Sequence, residues 1–229
     1  MGSKIQIGTS RLHCIGAYLA QPSGAAKGGV VVVQEIFGVN AWVRSVVDRF
    51  AAQGYTAIAP AFFDHVESGV ELGYDEAGFA RGRSLVGEVS LDLAREDVAS
   101  AAATIASAGK IGVVGYCWGG TVAMLAATRL GLPAVSYYGA RNVNYLDESP
   151  RAPVQFHFGE QDSSILAAAV QRHRDSYAAA VAAGNVEIYT YPCGHAFDRD
   201  IDPGHYDAAS AKIARERTLT FFDRHLRGG

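Results

Sequence analysis

No apolar stretch of this 229-residue chain reaches the length needed to cross a membrane; the longest runs are strand-sized. The opening residues, Met1-Gly2-Ser3-Lys4-Ile5-Gln6-Ile7, lack the apolar core of an export signal. Charge of one sign is also missing. The formal net charge of -3 gives a nucleic acid no basic footprint to bind. Cysteine is scarce: Cys14, Cys117 and Cys193 cannot all pair with one another, so free thiols in a reducing cytoplasm are expected. No CxxC and no His-rich cluster points to a metal, and no repeat, linker or low-complexity tail interrupts the chain. What is present is ordinary globular composition, 49% hydrophobic and 19% charged. The length suits one α/β domain over residues 1–229, although two small domains would also fit.

Strand and helix signals alternate along most of the chain. Segments 5–7 and 15–20 read as a hairpin or an antiparallel edge. Val30-Val31-Val32-Val33-Gln34 is β-branched without alternation, the pattern of a strand buried on both faces of a parallel sheet. A helix is expected over 41–53, with Asn40 as N-cap and Gly54 closing it. Strand 55–60 follows. Residues 62–87 then break the rhythm with a Gly- and charge-rich excursion that ends in a helix over 79–86; such excursions commonly cover a site. Helix 91–107, strand 111–114, helix 121–127, strands 134–138 and 154–158, helix 165–183, strand 186–191 and helix 208–225 complete the order. The pattern predicts an α/β fold with a mostly parallel sheet of about eight strands flanked by helices.

The chemistry-bearing motif is Gly115-Tyr116-Cys117-Trp118-Gly119-Gly120, set between strand 111–114 and a helix. Strand, tight Gly-x-nucleophile-x-Gly turn and helix make a nucleophile elbow, with cysteine where serine is usual. The helix start turns N–H groups and a positive dipole end toward the sulfur, which favours a thiolate and a developing oxyanion. The plainer reading is a buried cysteine in a Gly-rich turn. In a parallel α/β sheet ligands sit beyond the C-terminal ends of the strands. Two further candidates stand there: Asp162 after strand 154–158 and His195 after strand 186–191. His195 would serve Cys117 as base and later as acid, and Asp162 would hold the imidazole tautomer. Taken singly, Asp162 could merely cap the following helix and His195 could be a turn residue. The order Cys117, Asp162, His195 is the nucleophile–acid–histidine order of α/β-hydrolases. His157, inside a strand, is expected to be packed.

Glu35 ends the buried strand 30–34. A carboxylate there is costly unless paired or used, and Arg44 is a candidate partner. The loop at this point of an α/β-hydrolase supplies an oxyanion-hole N–H, here that of Ile36, with Trp118 N–H as the second donor.

Gln34-Glu35-Ile36-Phe37-Gly38-Val39-Asn40, the elbow, Gly159-Glu160-Gln161-Asp162 and Gly194-His195-Ala196-Phe197 together resemble the dienelactone hydrolase family (carboxymethylenebutenolidases), over essentially the whole chain. The resemblance implies a single α/β-hydrolase domain without cofactor or metal. It implies hydrolysis of a dienelactone to maleylacetate in aromatic-compound degradation. In the mechanism it implies, Glu35 takes the proton of Cys117 when substrate binds, leaving a thiolate paired with His195. Arginines hold the substrate carboxylate: Arg199 stands at the matching place after the histidine, and the second comes from the 62–87 excursion, where Arg81 and Arg83 are both candidates. Ala196 stands where a serine occurs in the best-known members, so the resemblance implies one hydrogen bond fewer to that carboxylate.

Three other readings compete. A general carboxylesterase or lactonase of the same fold would act on another activated ester. A thiol-redox protein would pair Cys117 with Cys193, without a CxxC motif to support it. A lapsed hydrolase serving as a binding module would be expected to have lost a triad member, and this chain has not.

Overall fold

The computed structural model describes residues 1–10 and 13–227. Eight strands form an α/β sheet: β1 (Ser3–Gly8), β2 (Cys14–Ala20), β3 (Gly29–Val33), β4 (Thr56–Pro60), β5 (Ile111–Tyr116), β6 (Ala134–Tyr137), β7 (Val154–Gly159) and β8 (Val186–Tyr191). Their order is β1-β2-β4-β3-β5-β6-β7-β8. The two N-terminal segments are both a hairpin and an antiparallel edge: β1 pairs β2, and β2 pairs β4, in antiparallel register. The β3–β4, β6–β7 and β7–β8 pairs are parallel. Two compact units divide the chain, Met1–Val113 joined by Leu226, and Val114–His225.

In the first unit, every residue of β3 and β4 is buried, as their β-branched and small side chains require. Helix α1 (Ala41–Ala52) covers them with Trp42, Val43, Val46, Val47 and Phe50, the spacing of one helix face. Each such Val or Phe withdrawn from water contributes about 1.5–3 kcal/mol. Asn40 caps the helix as expected, its Oδ1 accepting from Val43 N–H at 3.2 Å. The excursion after β4 holds a 3₁₀ turn (Phe62–His65) and helix α2 (Glu76–Glu88); α3 (Leu91–Thr104) follows. Helix α2 starts three residues before the position its sequence suggests. Asp75 caps it through Gly78 N–H at 2.8 Å, and glycines 78 and 82 mask the helical signal because glycine is a poor helix former.

In the second unit, α4 (Trp118–Leu125) continues into a π-helical turn (Ala126–Leu130). The single helix expected over 165–183 is instead two, α5 (Ala167–Ser176) and α6 (Ala178–Ala182). Tyr177 breaks the run at φ -106°, ψ 18°, with its ring buried and its hydroxyl donating to the Glu148 carbonyl at 3.1 Å. Alanine-rich composition carries propensity but no trace of a one-residue interruption fixed by a tertiary contact. Helix α7 (Ala208–Leu226) closes the chain. Among the described residues no helix is long and apolar enough to cross a membrane.

His157 in β7 is fully buried, as its strand position suggests. Tyr191 OH accepts from Arg217 Nη1 at 3.1 Å, so its own proton points to His157 Nδ1 at 2.7 Å. Nε2–H is left to donate to Gln155 Oε1 at 2.8 Å. Burial, reinforced by the Arg217 charge, pushes His157 down to about 3. The folded state therefore holds this ring neutral, whereas the unfolded chain takes a proton near 6.5. Its contribution to stability is complete above 6.5 and is lost as pH falls toward 3. Urea titrations between pH 7 and 4 should show a shallower loss in His157→Gln than in the parent, by up to about 1.4 kcal/mol per pH unit. Parallel curves would rule this source of acid lability out.

Candidate active site

Strand β5 ends at Tyr116, and the next residue, Cys117, sits at φ 54°, ψ -115°. This is a left-handed conformation that costs a non-glycine residue about 1–3 kcal/mol. Two features hold it there. Cys117 N–H donates to the Tyr137 carbonyl at 3.0 Å, and α4 begins immediately at Trp118. The turn is too tight for a side chain at Gly115, whose Cβ would lie 1.8 Å from the Gly119 carbonyl oxygen. Trp118 N–H therefore lies in the first turn of α4, where a helix does not use its donors internally.

Strands β7 and β8 pair in parallel from Val154↔Val186 to Gly159↔Tyr191, so the turns carrying Asp162 and His195 leave the sheet at one level. Asp162 divides its carboxylate between two tasks. Oδ1 accepts from Ser164 N–H at 2.7 Å and Ile165 N–H at 3.1 Å. Oδ2 meets His195 Nδ1 at 2.6 Å. Asp162 does not cap the following helix, which starts at Ala167 with no side-chain cap: one oxygen holds the turn ahead of it and the other meets the imidazole. Burial works against a charged His195, but hydrogen bonds to Asp162 and then to Cys117 outweigh it and raise the imidazole to about 10. At neutral pH His195 is an imidazolium joined to a carboxylate on one side and to Cys117 on the other. A cation in that place is what a thiolate nucleophile requires.

Tyr138 was not singled out by the sequence. Its ring lies 5.0 Å from that of His195 and 5.5 Å from Phe197, its side chain is fully buried, and its φ is 39°. It directly follows β6, so the strand-end rule that finds Asp162 and His195 would have found it too. Ala196, next to the histidine, is also buried and left-handed, at φ 60°.

Arg199 is no solvated surface charge: it is 2% exposed. Its Nε and Nη2 donate to Asp202 Oδ2 at 3.2 and 2.8 Å, and His205 Nδ1 reaches the same oxygen at 2.8 Å. Burial would raise the Asp202 carboxyl, but Arg199 and His205 hold it below the usual carboxylate range. Nothing in the sequence marks Asp202 for this task, since it acts through a local turn. Asp198, fully buried, is gripped by Arg215 of α7 through its carboxylate at 2.6 Å and its carbonyl at 2.8 Å.

In the other unit, Glu35 follows β3 and is 1% exposed. Arg44, its candidate partner, instead pairs with Glu71 at 2.7 Å and donates to the Val39 carbonyl at 2.7 Å. Ile36 follows in the same loop. Arg81 and Arg83 lie on exposed positions of α2, Arg81 in an ion pair with Glu67. Cys193, the partner a redox reading needs, is buried, and burial pushes its thiol up to about 11. Such a thiol is inert, and all three cysteines are unbridged.

Known proteins share this chain's sequence and fold. The family described as "Dienelactone hydrolase family" matches residues 15–226. Carboxymethylenebutenolidase of Pseudomonas putida is 33% identical over 218 residues, 91% of each chain. Carboxymethylenebutenolidase of Pseudomonas sp. strain P51 is 30% identical over 220 residues, 91% of this chain and 90% of that one. Among solved structures, an assigned dienelactone hydrolase from Klebsiella pneumoniae superposes with a TM-score of 0.85 at 30% identity, covering 98% of this chain and all of the other. The Pyrococcus furiosus esterase Pf2001 has a TM-score of 0.69 at 15% identity over 98% of this chain and 92% of that one, a likeness of fold alone.

Proposed function

The chain belongs to the dienelactone hydrolase family and is a hydrolase of lactones or esters, and from that premise we propose that Cys117, His195 and Asp162 open a dienelactone or similarly activated lactone bearing a carboxylate. The observation that carries the reading is His195, joined to Asp162 at 2.6 Å and hydrogen-bonded to a cysteine in the strained elbow position. The Cys117 thiolate attacks the lactone carbonyl, and the ring C–O bond breaks to leave a thioester and an enolate. His195 gives its proton to the leaving enolate and, in the second half, takes one from the water that cleaves the thioester, which restores the thiolate and the imidazolium. Trp118 N–H stabilises the oxyanion, with Ile36 N–H as the second donor and Glu35 as acceptor of the thiol proton on substrate binding, the roles the family resemblance gives them. A role in aromatic-compound degradation is the one the family resemblance implies for such a substrate. Its free thiols suit a reducing cytoplasm.

Arg199 receives the substrate carboxylate, with Arg81 or Arg83 as second partner. Burial beside Asp202 supports this for Arg199, because a shielded guanidinium binds a carboxylate more strongly than a solvated one. The same Asp202 contact favours the general-esterase reading, since it already supplies that guanidinium with a carboxylate. Rates on a lactone with and without a carboxylate separate the two. Arg199→Ala should lower kcat/KM for the anionic lactone by about 2–3 kcal/mol, mostly through KM, and leave a neutral aryl ester nearly unchanged. An unmoved ratio of the two would favour the general esterase.

A further inference from the structure

The excursion between β4 and α3 is not a flap lying loosely over the sheet. It is bolted to the Ile36–Asn40 loop along its length. Leu72 N–H donates to the Phe37 carbonyl at 2.9 Å, and Gly38 bridges to Glu71. The buried Phe37 ring meets Tyr74 edge-on at 4.6 Å and Phe79 at 4.9 Å. Asn40 Nδ2 donates to Tyr74 OH at 2.9 Å. Helix α2 itself also comes within backbone contact of the loop. A Cβ at Gly82 would stand 2.1 Å from the Ile36 carbonyl oxygen and 3.1 Å from its carbonyl carbon. Both are backbone atoms, which cannot swing aside as a side chain does.

We propose that Gly82 is a positioning residue for oxyanion stabilisation: α2 seats directly on the Ile36 peptide, and that contact fixes the direction of the Ile36 N–H. The proposal rests on the role given to Ile36 above. The carbonyl and the N–H of Ile36 flank one Cα, so a displacement of this residue's backbone that relieves the clash also moves the donor. Relief from 2.1 Å to ordinary contact at 3.4 Å needs a shift of more than 1 Å, and misplacement of even about 1 Å can cost about 100-fold in rate. The flanking residues Arg81 and Arg83 ride on the same helix. The segment that offers candidate carboxylate partners is therefore also the wedge behind the oxyanion loop.

The test is Gly82→Ala beside Gly87→Ala, both in a Cys14→Ser background so that the exposed thiol does not interfere. A Cβ at Gly87 meets nothing within 4 Å, so that variant adds helix propensity without a clash. Hydrolysis of a neutral aryl ester and iodoacetamide alkylation of Cys117 are measured on each. Alkylation needs the thiolate but builds no oxyanion. Gly82→Ala should lower kcat by about 10- to 100-fold with KM little changed, and leave the alkylation rate within about twofold. Gly87→Ala should match the parent in both. Wild-type kcat in Gly82→Ala overturns the proposal, as does a parallel fall in alkylation, which would mean general damage. Should Gly82→Ala fail to fold, Phe79→Ala decides, since it loosens the same loop from a partly exposed position. It should show the same split, and equal or absent losses overturn the proposal. Failure of the nucleophile assignment is distinguishable: the parent Cys117 would then be alkylated without loss of hydrolysis.

Discussion

Cys117→Ala should lose turnover by about 10⁴-fold or more, the scale seen when a covalent nucleophile is removed from an assembled triad. Alkylation of Cys117 in the parent should remove activity in step with modification, and Cys193→Ser should keep most of it, because the Cys193 thiol is buried and pushed up to about 11. Cys117→Ser should also be impaired, by roughly 100-fold or more. A hydroxyl must give up its proton during attack and needs a stronger base for that than a thiol does. Near-parental turnover in Cys117→Ala, confirmed by mass spectrometry of the variant, would end the assignment.

His195→Ala should cost about 10²–10⁴-fold in turnover, and alkylation of Cys117 near neutral pH should slow because its cationic partner is gone. Stability supplies a second readout. The folded imidazole, at about 10, lies above its ordinary 6.5. Its contribution is therefore complete below 6.5 and is lost as pH rises through 10. The unfolding free energy of the parent should fall across that window, and the fall should be smaller in His195→Ala. Asp162→Asn should lose about as much turnover as His195→Ala or somewhat less, because the amide can favour the wrong tautomer. Unchanged kinetics in both variants, with circular dichroism intact, would refute the histidine–aspartate pair.

The parts of this site that are legible in the sequence are those with a steric or topological rule behind them. Cys117 stands out because the turn admits nothing larger than hydrogen at Gly115. Asp162 and His195 stand out because parallel strands leave their ligand-facing residues at the C-terminal ends. All eight strands are readable in the sequence, β3 most plainly from its four consecutive valines. What escaped depends on contacts between distant positions. The early start of α2 is stabilised by an Asp75 cap and by glycine seated on Ile36, where propensity points the other way. The break at Tyr177 is held by a hydrogen bond to Glu148. Arg199 looked like a matter of exposure, yet its placement is decided by Asp202, three residues on.

The matched ends of β7 and β8 carry a consequence for lineage. Asp162 comes three residues after Gly159 and His195 four after its register partner Tyr191, and a 2.6 Å contact closes the two turns against each other. One inserted residue carries up to about 3.3 Å of chain, more than that contact tolerates. Asp162 has no slack to absorb the change, because Ser164 and Ile165 already hold its other oxygen. A gain or loss of length in either turn is therefore survivable only with a compensating change in the other. Descendants of this chain should differ in length elsewhere, and these two corners should drift in composition while keeping their spacing.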